Sequence, residues 1–295
     1  MKVYIANDTS RYHAGSWAAM ASLRQKLIAK GHDIICSTLR PHGPDLKAIH
    51  ECDAIIVNGE GALNNERTSW HKGRASSLLE GLKLAKQLGK KAYLINCVWQ
   101  KMNPGWRDVL KSLDGLWVRE ICSQKEMEKT QGVNPQMYLD LSYTYKVDDS
   151  KGSVQFSGKD VVGTFYPRNM HRFDAFDHTH PMFTGMPRLN LGGEAERLDS
   201  VADWSHIVSS LRNANIYITG QHHGVYAAAK ARIPFAIFKV NTHKLEGLFK
   251  WAGVNIPIAK SRKQLEKAIK WAKTHNDVYE QLFDWMEQQP VWSGI

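Results

Sequence analysis

The chain has 295 residues, of which 43% are hydrophobic and 23% are charged, a composition typical of a soluble globular protein. No run approaches the ~18 uninterrupted apolar residues of a membrane span, and the N-terminus lacks a signal-peptide pattern. We therefore expect a cytoplasmic protein without a membrane span. Lys and Arg outnumber Asp and Glu by 39 to 29, a net charge of +10, which favours polyanionic partners or donor phosphates. Because the basic residues are dispersed, solubility alone is the alternative explanation.

The length admits two α/β domains. The four cysteines form no C-x-x-C pair, so we expect reduced core residues rather than a zinc site or a disulfide framework: Cys36, Cys52, Cys97 and Cys122. Histidines such as His171, His178 and His180 lie at irregular spacing in a predicted loop. We therefore expect no metal site.

The first half alternates short apolar runs with amphipathic segments, a pattern that predicts βαβ units around a parallel sheet. Strands are predicted at Val3–Ala6, Asp33–Cys36, Asp53–Val57, Lys91–Asn96 and Gly115–Arg119. A helix is predicted after the first strand, since apolar residues recur at three- and four-residue spacing up to Gly31: Trp17, Met20, Leu23 and Leu27. Two more are predicted over Ser76–Leu88 and Ser123–Lys129.

The segment 146–159 is polar and rich in Gly, Ser, Asp and Lys, which indicates a surface linker. Beyond it, strands are predicted at Asp160–Phe165, Ile216–Thr219 and Pro234–Phe238, and helices over Val201–Leu211 and Gly224–Arg232. A loop is predicted over Tyr166–Arg197. Two terminal helices carry apolar stripes, the first with Leu265, Ile269 and Ala272 and the second with Val278, Leu282 and Trp285.

These elements predict an α/β protein of two Rossmann-like domains with a cleft between them. We assign residues 1–145 to an N-terminal acceptor-side domain and 160–262 to a C-terminal donor-side domain, with terminal helices over 263–295.

Polar residues follow two strands of the first half at their carboxyl ends, where ligands bind in parallel α/β folds. The first group is Asn7-Asp8-Thr9-Ser10 with Arg11 and His13 behind it, although Asp, Thr and Ser are also common helix caps. The second is Asn58-Gly59-Glu60-Gly61, in which two glycines permit a tight turn and leave Glu60 at the mouth of the sheet. A structural turn is the alternative there, since the G-x-G-x-x-G pattern is incomplete.

Two further groups follow strands of the second half. In Thr219-Gly220-Gln221-His222-His223-Gly224 a strand delivers two histidines to a glycine at a predicted helix start, where imidazole can contact a phosphate or protonate a leaving oxygen. One histidine could instead be an ordinary core residue. Asn241-Thr242-His243-Lys244-Leu245-Glu246-Gly247 offers Lys244 for a phosphate and Glu246 for a sugar hydroxyl, with a capped helix start as the alternative.

The order and spacing of these groups resemble the polysaccharide pyruvyltransferase family over most of the chain. The resemblance rests on the four groups together with Val118-Arg119-Glu120, Ser123, Leu139-Asp140-Leu141 and Ile233-Pro234-Phe235. It implies a two-domain fold similar to that of the GT-B glycosyltransferases, with the donor phosphate held mainly by the C-terminal half.

The sequence departs from the family signature at two positions. The family has an arginine two positions before the histidine that matches His223, and here that position is Gln221. The family also has three consecutive glycines after the strand that matches the Asp53 strand, and here Glu60 interrupts them. Losing a bidentate cation weakens the binding of phosphoenolpyruvate, and a carboxylate at Glu60 could serve as a general base. Both changes favour glycosyl transfer from a nucleotide sugar over pyruvyl transfer.

The first hypothesis is therefore a glycosyltransferase with a nucleotide-sugar co-substrate and no tightly bound cofactor. Glu60, with Asp8 as the reserve base, deprotonates the acceptor hydroxyl. His223, on the opposite wall of the cleft, helps to neutralise the departing diphosphate. Donor binding is assigned to Gly220, Gln221, His222, Gly224, Asn241, Lys244 and Glu246. Acceptor binding is assigned to Asn7, Arg11, His13, Asn58, Trp70 and Arg119.

Two other hypotheses stay open. One is a phosphoenolpyruvate-dependent pyruvyltransferase in which Arg119 substitutes for the missing arginine. The other is a nucleic-acid-binding module without catalysis, for which basic and aromatic residues should cluster on one face.

The acceptor is expected to be a polymer, either DNA with hydroxylated bases, as in viral DNA, or a glycan. For DNA, the basic loop residues are candidate phosphate contacts: Arg11, Lys72, Arg74, Lys101 and Arg107. Tryptophans in the same loops could stack on an extruded base, with burial in the core as the alternative: Trp70, Trp99 and Trp106.

Overall fold

The structure, a computed structural model, describes residues 1–39, 45–64, 69–151, 156–165, 181–192 and 203–295, with the backbone alone at 69–72. It contains two parallel sheets, one from each half of the chain. The division falls between Met137 and Asp160, an interval that includes the predicted linker. The predicted α/β class with two Rossmann-like halves is confirmed, whereas the individual domain bounds stay a prediction.

The first sheet has six strands in the order β2-β1-β3-β4-β5-β6, all parallel. Their bounds are β1 Lys2–Ala6, β2 Asp33–Thr38, β3 Ala54–Asn58, β4 Lys91–Cys97, β5 Gly115–Val118 and β6 Gln136–Met137. The sequence predicts the first five. It misses β6 because two residues are too few to show an alternating pattern.

Six helices are described in the same half: α1 Ala14–Ala29, α2 Leu46–Glu51, α3 Ser69–Gln87, α4 Arg107–Ser112, α5 Ile121–Gln131 and α6 Leu141–Thr144. The three long ones match the predicted helices. The sequence misses α2, α4 and α6, since each spans fewer than two turns and so shows no helical period.

The chain reverses direction across this sheet between β1 and β3, because β2 lies on one side of β1 and β3 on the other. Such a switch point opens a crevice at the carboxyl ends of the two strands. Asn7 directly follows β1, and Glu60 follows β3 by two residues. The topology therefore brings the two polar groups of the first half together.

The second sheet has the order β10-β9-β8-β7 and is also parallel. Its strands are β7 Asp160–Phe165, β8 Ile216–Gly220, β9 Phe235–Phe238 and β10 Ile258–Ala259. Five helices accompany it within the described part of this half: α7 Trp204–Leu211, α8 His222–Ala231, α9 Lys244–Ala252, α10 Arg262–Ala272 and α11 Asn276–Gln288.

Three details of the second half differ from the predictions or lie outside the described residues. Helix α8 begins at His222, two residues before the predicted start, so both histidines are helical. Helix α9 begins at Lys244, within Asn241–Gly247, but its N-cap His243 makes no side-chain capping bond, and the role of this group in donor binding stays a prediction. Val201 lies outside the described residues, as does all of the predicted loop except 181–192.

Segments near both ends of the chain pack against the half to which they do not belong in sequence. After α11 the chain returns to the first half, where the buried Trp292 lies 6.1 Å from Trp117 between ring centroids. In the other direction, Ala14 and Ala18 of α1 belong to the apolar core of the second half. No helix in the described ranges is both long and apolar enough to cross a bilayer. The four cysteines are free thiols, and Cys52 and Cys97 are buried in the core as predicted, whereas Cys36 and Cys122 are half-buried.

A buried polar contact joins α9 to α5. The Nε2 of His243 lies 3.2 Å from Oε1 of Glu120, which also caps α5 by accepting from the Ser123 amide. A Cβ at Gly247 would overlap the Glu120 carboxylate, so only glycine allows this approach. Burial alone would lower the pKa of His243, but the hydrogen bond and the charge of Glu120 outweigh burial and raise it.

This contact predicts a pH dependence of stability. Because the pKa of His243 is raised in the folded state, its contribution is fully present below the unfolded value of about 6.5 and is lost as pH rises through the folded value. We expect the Tm advantage of the wild type over His243→Gln to be largest near pH 6 and to shrink toward pH 8.5, measured by thermal unfolding. A difference that grows with pH would contradict the assignment.

Candidate functional site

Glu60 of the first half and His223 of the second half meet at the interface. The Oε1 of Glu60 lies 3.5 Å from Nε2 of His223, and both side chains are more than nine-tenths buried. Glu60 is held by two hydroxyl donors, Thr9 to Oε2 and Ser16 to Oε1, each at 2.6 Å. The prediction that Glu60 and His223 face each other is confirmed.

Asp140 is the second carboxylate at His223. Its Oδ1 lies 3.5 Å from the same Nε2 atom, and its Oδ2 accepts a hydrogen bond from Arg119. Asp140 also caps α6 by accepting from the Ser142 amide at 2.9 Å. Sequence reasoning assigned Asp140 no role, although it belongs to one of the motifs that carry the family resemblance.

His13 lies on the other side of the His223 ring, with 4.7 Å between the ring centroids. It caps α1, since its Nδ1 accepts from the Ser16 amide at 3.1 Å. A Cβ at Gly15 would overlap the Cβ and Cγ of His223. The glycine after the cap is therefore what allows α1 to approach α8 at this point.

The charges of the cluster follow from burial and proximity. Burial opposes ionisation of both carboxyls, but the charge interaction with His223 holds the pKa of Glu60 below its ordinary value, and Arg119 holds that of Asp140 well below it. Burial lowers the pKa of His13 to about 3, and the pKa of His222 also falls well below its ordinary value. Two carboxylates therefore face His223 while its histidine neighbours are neutral.

The asparagines of the first half order the strand ends. The side-chain amide of Asn7 donates to the main-chain oxygen of Asn58, and the side-chain amide of Asn58 donates to the main-chain oxygen of Asn7. Asn7 has a φ of 65°, a left-handed conformation that asparagine tolerates better than most residues. Both amides are buried and also contact neighbouring groups, since Asn7 accepts from Arg74 and Asn58 donates to the Thr9 hydroxyl at 3.2 Å. Their predicted role in binding the acceptor stays a prediction.

The start of α8 has polar atoms without partners. Gln221 occupies the N-cap position, yet its side chain makes no capping bond and its Oε1 is buried without a partner. Among the residues that the structure describes, no hydrogen-bond partner is found for either ring nitrogen of His222, for Nε2 of His223, or for Nε and one terminal nitrogen of the buried Arg119. Because buried donors are nearly always satisfied in proteins, these groups mark a place for a polar ligand or ordered water.

The two predicted donor-site glycines are required by packing. A Cβ at Gly220 would overlap the Phe165 side chain, and a Cβ at Gly224 would overlap the Thr219 side chain. Both positions therefore allow β8 and α8 to pack closely, and neither observation tests contact with a donor.

The remaining predicted donor residues cluster at the start of α9. Lys244 is buried in its first turn, and one Glu246 carboxylate oxygen and the Asn241 Oδ1 are buried without partners. Lys244 lies close enough to depress the pKa values of both His13 and His222. Lys244 therefore belongs to the electrostatic surroundings of the histidine cluster.

The side chain of Asp8 contacts other residues than the cluster of histidines and carboxylates around His223. It is paired with Arg24 and accepts from the Ser37 hydroxyl at 2.6 Å. Burial opposes its ionisation, but the hydrogen bonds from Ser37 and Ser10 lower the pKa. A carboxylate committed to these partners is a poor reserve base, and Glu60 is better placed.

Two of the expected DNA contacts are wrong because the residues are buried. Trp99 is fully buried in the core of the first half, and Arg74 is buried while it donates to Asn7 and to the Tyr12 hydroxyl. Arg11, Lys101 and Arg107 are exposed. The side chains of Trp70 and Lys72 lie outside the described residues, as do His171, His178 and His180.

Within the described residues, two groups could hold a metal ion, His13 with Glu60 and His223, and Asp140 with His222 and His223. The contacts of His13 count against the first. Its Nδ1 lone pair already accepts a backbone N–H, so in the neutral ring Nε2 carries the proton and has no lone pair for a metal. The expectation of a metal-free site stays a prediction.

The model of one protein family, described as polysaccharide pyruvyl transferase, matches residues 3–242. No curated protein matches the chain. Three of the solved structures that share its fold illustrate the likeness. S. aureus MnaA in a structure with UDP is 12% identical, with a TM-score of 0.55 over 96% of this chain and 91% of that one.

The UDP-GlcNAc 2-epimerase of Methanocaldococcus jannaschii in complex with UDP-GlcNAc and UDP is 11% identical, with a TM-score of 0.54 over 93% of each chain. An uncharacterised protein from Klebsiella pneumoniae is 12% identical, with a TM-score of 0.51 over 86% of this chain and 89% of that one. At these identities the likeness confirms the expected GT-B type of fold and nothing finer.

Proposed function

Because the chain belongs to the polysaccharide pyruvyl transferase family, a family of group transferases, we propose that it moves a glycosyl group from a nucleotide sugar to a hydroxyl of a polymeric acceptor. The observation that carries the proposal is the contact of Glu60 with His223 across the interface, beside a helix start where Gln221 stands in place of a cation.

In the proposed step His223 accepts the proton of the acceptor hydroxyl. The acceptor oxygen forms a bond to C1 of the sugar, the bond from C1 to the phosphate oxygen breaks, and its electron pair leaves with the nucleoside diphosphate. Glu60 is a weaker base than the sequence suggests, since Thr9 and Ser16 donate to both of its oxygens. We therefore give it the role of stabilising the His223 imidazolium.

The departing diphosphate needs positive or hydrogen-bonding partners. The N-terminus of α8 supplies backbone N–H groups and the positive end of a helix dipole. Arg119, with two nitrogens lacking partners, and Lys244 at the start of α9 supply charge nearby. The other donor residues expected from the sequence complete this proposed site, which uses no tightly bound cofactor.

The family match favours a second candidate, pyruvyl transfer from phosphoenolpyruvate to two sugar hydroxyls. Both hydroxyl oxygens would bond to C2 of the enolpyruvyl group, one proton would go to C3, and phosphate would leave with the other. Gln221 counts against this candidate, because it cannot supply the permanent bidentate charge that would bind the carboxylate and phosphate of phosphoenolpyruvate. Arg119, whose charge is paired with Asp140, is the same for either donor.

Ligand-dependent thermal stability separates the two donors. We expect UDP-sugars to raise the Tm of the wild type and phosphoenolpyruvate to leave it unchanged. In Gln221→Arg, which restores the family cation, phosphoenolpyruvate should begin to stabilise the protein. Arg262→Gln, an exposed change on α10, is the control. Stabilisation of the wild type by phosphoenolpyruvate alone would favour pyruvyl transfer instead.

For the acceptor we propose DNA with hydroxylated bases, supported by the net charge of +10 and by the exposed Arg11, Lys101 and Arg107. Each neutralised phosphate releases counterions, so log affinity should fall linearly with log salt concentration. Fluorescence titration of duplex DNA should show this slope, and Arg11→Ala should reduce it by about 1 relative to Arg262→Ala. No binding at low salt would favour a glycan acceptor.

A further inference from the structure

Both carboxylates at His223 face the same ring nitrogen. Nε2 lies 3.5 Å from Oε1 of Glu60 and 3.5 Å from Oδ1 of Asp140. Neither contact has hydrogen-bond geometry, and Nε2 has no other hydrogen-bond partner among the described residues, so the two carboxylates act on it through their charge. The two acids come from different elements, Glu60 from the turn after β3 and Asp140 from the cap of α6. Asp140 is anchored by Arg119 through its other oxygen and by the Ser142 amide, so its position is set independently of His223.

A neutral imidazole carries one proton, on either Nε2 or Nδ1, and the hydrogen-bond acceptor beside one nitrogen decides which. A carboxylate stabilises the tautomer whose N–H points toward it. The other charged or titratable groups around His223 are His13, His222, Arg119 and Lys244. Both histidines are neutral, and neither cation can accept a hydrogen bond.

We propose that Asp140 is a positioning residue which, together with Glu60, keeps the proton of neutral His223 on Nε2, so that Nδ1 is the nitrogen that takes the proton of the acceptor hydroxyl. The use of Nδ1 in transfer rests on the proposed function, whereas the tautomer does not. Asp140 also connects Arg119, which directly follows β5, to His223 in the first turn of α8. The position of the proton on His223 therefore depends on the contact between the two halves.

The tautomer can be read directly in the wild-type protein. Long-range ¹H–¹⁵N correlation spectra distinguish a protonated from an unprotonated ring nitrogen, and the His223 signals are identified by their loss in His223→Gln. We expect the Nε2–H form at a pH where the ring is neutral. A predominant Nδ1–H form would overturn the proposal whatever group the enzyme transfers.

Asp140→Asn tests the role of Asp140 in particular. The amide can donate to Nε2 and so favours the Nδ1–H form, and we expect a detectable shift of His223 toward it. With the donor that stabilises the wild type, kcat should fall about a hundredfold with KM nearly unchanged, the lower range for general-base catalysis because Glu60 remains. An unchanged tautomer in the folded variant would remove Asp140 from the proposal.

Asp114→Asn is the matched control. This substitution also removes a carboxylate that pairs with a cation, here Lys86 at 2.7 Å. Asp114 precedes β5, however, and so lies at the amino ends of the strands, away from the site. The His223 spectrum and activity of this variant should match the wild type. If Asp140→Asn does not fold because Arg119 loses its partner, the wild-type tautomer decides the proposal. If the spectra agree with it and no donor is transferred, the proposed function fails and the tautomer assignment stands.

Discussion

Replacement of His223 by Gln is expected to lower turnover by a factor of about 10² to 10⁴, the usual contribution of a general acid or base. Gln preserves polarity and much of the volume but cannot carry a proton between the acceptor and the carboxylates. Because His223 is buried in the first turn of α8, against the sequence expectation of a strand-end loop, Ala would also leave a cavity. Gln therefore separates chemistry from packing.

His50→Gln is the matched control, since His50 is exposed on α2 and its main-chain oxygen accepts from Lys90, while no hydrogen bond of its ring is seen among the described residues. Initial rates with the stabilising donor, together with the Tm of each variant, provide the measurement. Near-normal turnover of His223→Gln would show that His223 does not carry the proton in the transfer step.

Gly15→Ala is expected to reduce turnover about a hundredfold, because a misplacement of reacting groups by roughly 1 Å has that effect. The new Cβ would overlap the Cβ and Cγ of His223. Rotation about χ1 cannot move the His223 Cβ, so α1 and α8 must separate. Overpacking of this kind should also destabilise the protein by about 1–3 kcal/mol.

Gly73→Ala is the control, the same substitution in helix α3 with nothing within 4 Å of the added methyl. It should stabilise the protein by up to about 1 kcal/mol through helix propensity and leave kcat unchanged. Equal kcat values for the two variants, measured by initial rates, would mean that the approach of α1 to His223 is unimportant for transfer.

The sequence by itself determined the strands of both sheets except the two-residue β6 and β10, since buried parallel strands appear as continuous apolar runs between turn residues. It also predicted that Glu60 and His223 face one another, an expectation that came from the resemblance to a two-domain fold with a cleft. The parallel topology places each of them at the carboxyl ends of its own sheet, but β3 and β8 belong to different sheets.

Only the tertiary structure decided what surrounds that pair. Asp140 and Gly15 lie far from His223 in sequence, and their contacts with it depend on how the helices α1, α6 and α8 pack across the two halves. Burial was decided there too. Trp99 and Arg74 belong to loop-like sequence, yet one is in the core and the other serves Asn7, because depth depends on neighbours that local periodicity does not encode.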